Sequence, residues 1–290
     1  MREATPAPVA AASQPRPNPQ TSLRRLGKAM GDSLRFCEHN LAATTIPSLL
    51  LGLPAFLAYL FSPDPRIGNA LQLLLGVAAS CGIIRLVFLA HSIKEKPTVA
   101  GGLIEGFSFW PRGIIANLIV WLSLCLVCAL IGLLMAPGLV IMKANRTGGI
   151  IYFAVTGVPS LWVLVFSSLR LTMTIPAMMD DGLTIEGAFT AGLKTTKGRT
   201  SELFWIFFLV GLACAILGAI YLFGCESLAG AIENVVPIAP AITLIYILTW
   251  PLHFLVSWFV VTLAQTYLAM KHPPSSEGKP LMAKSTLNRR

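Results

Sequence analysis

Two arginines, Arg85 and Arg170, lie inside long apolar runs of this 290-residue chain, and their setting is the first that could do chemistry. A charge in an apolar medium costs a few kcal/mol or more, so by default it marks a site. Arg85 lies about 9 Å from the end of its run by helical rise, within snorkelling distance of a polar boundary. Arg170 is deeper, although Pro176 follows closely enough to end its helix early. Both can cap helix-end carbonyls, or together hold an anionic head group or ligand. Asp180 and Asp181, with Glu186 nearby, can pair with these arginines, ligate a divalent cation or cap a solvated helix. In the last apolar run, His253 and Thr262 offer a polar contact to a neighbouring helix.

Catalytic signatures are missing. No HExxH, GxSxG or Walker A motif occurs, nor do paired carboxylates at helical spacing. No cofactor or metal is expected, and the chain reads as a non-enzyme. Cys125 and Cys128 form a CxxC, but within an apolar run without the polar loop and further ligands that redox or zinc chemistry needs. Cys81 and Cys214 also fall in apolar runs, as small hydrophobes. His39, His91 and His272 share only nearness to the ends of runs. No second His, Asp or Glu inside a run offers a proton relay, which tells against ion-coupled transport.

The elements that must position these residues follow from composition. Hydrophobic residues make up 55% and charged ones 12%, against roughly a quarter charged in soluble domains, and the mean hydropathy is +0.72. A hydrocarbon core about 30 Å thick takes roughly 20 apolar helical residues. Six such runs can be drawn, at about 41–61, 67–90, 114–136, 150–175, 202–223 and 240–270. The last is too long for one straight span, and Trp250-Pro251 predicts a kink. Residues 1–22, without an apolar core for a signal peptide, and 273–290 read as flexible cytosolic tails around a membrane domain at 23–272.

Basic residues are retained on the cytosolic side. Alternate connections carry 17 Lys and Arg against 3, which places both termini in the cytosol and the protein in an inner, plasma-type membrane. The net charge of +9 therefore belongs to topology and to anionic lipid rather than to nucleic acid. Expected partners are membrane lipids, anionic ones included, and an unidentified protein.

A repeat underlies this plan. Thr98, Gly101 and Gly106 recur as Thr184, Gly187 and Gly192, and Arg85 matches Arg170. Leu26, Met30, Ser33 and Leu34 match Val99, Leu103, Gly106 and Phe107. Large residues at i, i+4 and i+8 define a helical stripe. Each copy predicts an amphipathic helix lying in the membrane interface, N-capped by Thr98 or Thr184, before the chain turns into a span. Three units follow, at about 23–90, 97–178 and 183–270. In the closing spans Arg170 falls on Thr262, so the third unit lacks the arginine.

"LGKAMGDSLRFCEHNLAATTIPSLLLGLP", "GLTIEGAFTAGLKTTKGRTSELFWIFFLVGL" and a last run ending "LAQTYLAMKH" resemble the six-helix membrane domain that precedes some bacterial glycerophosphoryl diester phosphodiesterases, and its stand-alone relatives. The likeness covers about residues 23–272. The hydrolytic barrel has no counterpart in the 18 residues that follow, so no phosphodiesterase activity carries over. The expectation is an all-α integral membrane protein of six spans in three repeated units. It contacts lipids or a partner in envelope organisation, or alternatively forms a path for a solute or lipid between the units.

Overall fold

Proline, asparagine and threonine, rather than long loops, punctuate the helices. The computed structural model describes residues 19–61, 64–92, 96–180, 183–232 and 249–271; Asp181 and His272 fall outside them. Helix α1 spans Pro19–His39, α2 Leu41–Phe61 and α3 Pro65–Ser92. Thr98 opens α4, its Oγ1 accepting from Gly101 N at 3.0 Å. Asn145 closes α4 (Val99–Ala144) and starts α5 (Arg146–Thr172), with its Oδ1 accepting from Gly148 N at 3.2 Å. A single residue thus makes the hairpin.

Helix α5 stops at Thr172, four residues before Pro176, where the proline ring would meet the carbonyl. The one-turn α6 (Thr174–Met178) follows. Thr184 caps α7 (Ile185–Thr195), accepting from Gly187 N at 3.1 Å. Between α7 and α8 (Thr200–Ile232), Gly198 takes φ +79°, the left-handed conformation that ends helices. The last helix, α9, spans Trp250–Lys271.

Among the described residues no strand occurs, and six helices are long and apolar enough to cross a membrane: α2, α3, α4, α5 continuing through α6, α8 and α9. The chain is an all-α, multi-pass membrane protein. Helices α3 and α9 are its centre, with 61% and 56% of their spans buried against 6% for α4. Cys81, Ile84, Val87 and Phe88 of α3 pack with Val261, Ala264 and Tyr267 of α9 and with Met173 and Met179 beside α6. The outer halves of α4 and α5 show Leu126, Leu133, Val155 and Leu161 outward, as a lipid-facing hairpin would.

Three expectations change. The lead-in at 97–113 does not turn before its span: α4 runs unbroken for 46 residues, about 69 Å by helical rise, through Pro111 and Pro137. Gly102 and Gly106 press on α3 so closely that a Cβ on Gly106 would lie 2.6 Å from Ala78 O, so this segment packs beside its hairpin partner. The lead-in at 23–40 is likewise no free surface helix. Its Ser33 and Cys37 are fully buried against the bundle, whereas Leu34 is 42% exposed, so the docked face is rotated from the stripe of large residues. Finally, Pro251 sits in the first turn of α9, where its missing N–H costs nothing; the stretch 240–248 lies outside the described residues.

Candidate functional site

Helices α2 and α9 are antiparallel and joined by two contacts one turn apart. Ser48 Oγ lies 3.0 Å from His253 Nδ1. Ser257 Oγ lies 3.0 Å from Thr44 O and 2.8 Å from His253 O, and its single proton serves one of them. His253 is fixed in rotation by this frame and faces a cavity of about 400 Å³ between α2, α3, α4, α5, α6 and α9.

Among the described residues, six polar side chains reach that cavity: Ser48, Gln72, Ser80, Asn117, Thr172 and His253. None of the described residues that line it is Asp, Glu, Lys or Arg. The bonding inventory is uneven. Ser80 gives its proton to Gly76 O at 2.9 Å, Thr172 to Ser168 O at 2.7 Å, and Asn117 Nδ2 donates to Gly113 O at 2.9 Å. Such back-bonding keeps the donors inside their own helices and leaves oxygen lone pairs for a guest. Asn117 Oδ1 and the Gln72 amide carry the strongest remaining capacity. The rim is apolar and open, with Leu73 62% and Val256 54% exposed, so the cavity opens sideways at the depth of the spans. Its chemistry suits an uncharged molecule that donates hydrogen bonds and has an apolar part.

The residues singled out from sequence go to several places. Arg85 is 6% exposed; its Nε pairs with Glu105 Oε2 at 3.1 Å, its Nη1 donates to Met179 O at 3.0 Å, and its guanidinium lies over Phe109, 4.2 Å from the ring centroid. Its charge is thus matched by a carboxylate, and it ties α3 to α4 and to the turn after α6. Arg170 works elsewhere: Nε donates to Thr196 Oγ1 and Nη2 to Leu193 O, both at 3.3 Å, capping the C-terminus of α7. The two arginines have separate partners.

Asp180 binds α9, accepting from Tyr267 Oη at 3.1 Å and pairing with Lys271 through the same oxygen. Asp181 lies outside the described residues, and Glu186 is exposed. Thr262 is sealed between α9 and α1, its Oγ1 2.9 Å from Ser33 Oγ and 2.8 Å from Trp258 O, donating to one of them. Of these residues only His253 reaches the cavity. No group of three or more potential metal ligands occurs among the described residues.

Sequence reasoning missed Gln72, Asn117, Ser80, Thr172 and Ser48. The available signal was weak, since Gln72 and Asn117 are amides within otherwise apolar runs, and polar groups at span depth mark interior positions. Glu105 was missed because it sits in the lead-in rather than in a run. No protein-family model, curated protein or solved structure matches the chain.

Proposed function

We propose that this chain is a non-catalytic, lipid-contacting membrane protein that takes an uncharged, hydroxyl-bearing amphipathic molecule from the bilayer into the cavity faced by His253. One observation carries this reading: six polar side chains from several helices converge on a space with an apolar lateral mouth. A neutral hydroxyl-rich head group would satisfy the acceptors of Asn117 and Gln72, while its chain leaves between Leu73 and Val256 into lipid. The resemblance to membrane domains that accompany glycerophosphodiester hydrolysis points the same way. Full-length protein purified in nanodiscs, with co-purified lipids identified by mass spectrometry, tests it. The double variant Gln72→Leu/Asn117→Leu is expected to keep its folded elution and lose the enriched lipid. An unchanged lipid complement would sink the proposal.

Transport of such a molecule is the second reading, favoured because the lining draws on all three sequence units: Ser48 and Gln72, Asn117 and Thr172, and His253. Aqueous thiol labelling of single cysteines along α3 and α9 separates the two. A labelled stripe continuous to both ends of the spans supports a path, and labelling confined to one depth supports a holding site.

The charge asymmetry supports an inner-membrane location with both termini cytosolic. A reporter fused after Arg290 is then expected in the cytosol and one inserted at Asn145 outside it. The reverse result would overturn that topology.

A further inference from the structure

A second cavity, sharing no residue with the first, lies where α1 crosses α3 and α9 near their polar ends. It measures about 330 Å³ and is lined by Asp32 of α1, His91 of α3 and Gln265 of α9, with Phe36, Ala90 and Leu268 among its apolar walls. Its position is fixed by α1: Ser33 accepts from Trp258 Nε1 at 3.2 Å and Cys37 is fully buried, so neighbouring Asp32 and Phe36 must hang over the gap.

The polar groups here are unspent. Asp32 has no ion-pair partner among the described residues, although Lys28 and Arg35 stand one turn away on either side. Gln265 Oε1 is buried without a hydrogen-bond partner. Leaving such an acceptor unpaired is costly, and rotation of the amide would present its oxygen to the cavity. Among the described residues no Lys or Arg lines the space. It therefore offers one carboxylate, one amide carbonyl and one imidazole, three acceptors with a single fixed negative charge.

We propose that this cavity binds a primary ammonium group, as carried by an aminophospholipid head group, with Asp32 as counter-ion and Gln265 and His91 as further acceptors. Three acceptors match the three N–H bonds of an ammonium. A quaternary ammonium donates none and selects aromatic cages, whereas Phe36 is the one aromatic wall among the described residues. A hard divalent cation takes six or more oxygens, which these groups do not supply. Position favours a lipid: the cavity sits at the membrane-boundary ends of α3 and α9, where a head group is held and its chains can follow the apolar wall.

The full-length protein in nanodiscs of equal phosphatidylethanolamine and phosphatidylcholine, analysed by native mass spectrometry, tests this assignment. The wild type is expected to retain the primary-amine lipid about tenfold over the quaternary one, the worth of one charge-assisted hydrogen bond. Asp32→Asn should abolish the preference, and Glu38→Gln, an exposed acid on the same helix, should keep it. Ala90→Phe, which fills the cavity, should lower retention independently of charge. Equal retention by the wild type with no stabilisation by free ethanolamine, or a preference that survives Asp32→Asn, overturns the proposal. If instead ethanolamine added to phosphatidylcholine-only discs stabilises the wild type but not Asp32→Asn, without any lipid preference, the ammonium chemistry stands and the source is a soluble amine.

Discussion

Ser48 Oγ and His253 Nδ1 meet at 3.0 Å although 205 residues separate them, and this contact fixes the imidazole at the edge of the intramembrane cavity. The bond is expected to contribute about 1 kcal/mol. In a double-mutant cycle of Ser48→Ala and His253→Ala, read by apparent melting temperature in detergent, the two losses should be less than additive by about that amount. Strict additivity would show that the two side chains act independently. Either variant should also lower retention of the lipid proposed for the cavity.

Arg85 and Glu105 form a largely desolvated pair, their side chains 7% and 26% exposed. Breaking such a pair from one side costs about 3–5 kcal/mol because a charge is left unmatched. Arg85→Met alone should therefore lower the melting temperature more than Arg85→Met with Glu105→Leu. Arg85→Lys should not rescue, since an ammonium cannot serve Glu105, the Met179 carbonyl and the Phe109 face in the planar geometry that a guanidinium allows. Full rescue by lysine would argue that charge alone matters.

Gly82 is where α3 and α4 touch backbone to backbone. A Cβ there would lie 2.1 Å from Gly102 O, whereas one on Gly132 would meet nothing within 4 Å. Gly82→Ala is expected to cost about 3 kcal/mol, seen as loss of folded protein in size-exclusion chromatography. Gly132→Ala should be neutral or slightly stabilising through helix propensity. Similar behaviour of both variants would refute the close contact.

Cys37, fully buried in α1 against the bundle, has its thiol pushed up from the ordinary 9.0 to about 12 by burial. At pH 8 it should resist maleimide until the protein is unfolded, because the thiolate is the nucleophile. The sign of the linkage follows: a raised pKa stabilises the fold fully below pH 9.0, and that stability is lost as pH climbs toward about 12. Cys37→Ala should flatten this alkaline decline. Rapid labelling of the folded protein at pH 8 would show that α1 is not docked as described.

The amino-acid sequence by itself determined the class and the punctuation of this protein. Apolar runs of span length permit only helices in lipid, because each backbone group must bond within its own segment. The N-caps at Thr98 and Thr184 were legible because a threonine oxygen answers a local need, the unpaired N–H groups of the helix start. Tertiary structure decided what no local rule reaches. The 97–113 segment has the same pattern as 183–195, yet it continues unbroken into its span within α4, whereas α7 ends ahead of Gly198 at φ +79°. Arg85 and Arg170 occupy matched sequence positions, yet one pairs with Glu105 and the other caps α7. Gln72, Asn117 and His253, scattered over 180 residues, share a cavity only because α3, α4 and α9 converge there. In a chain whose spans are all apolar, periodicity gives the spans but not which faces meet, and that choice rests on small residues and polar pairs whose partners lie far away in sequence.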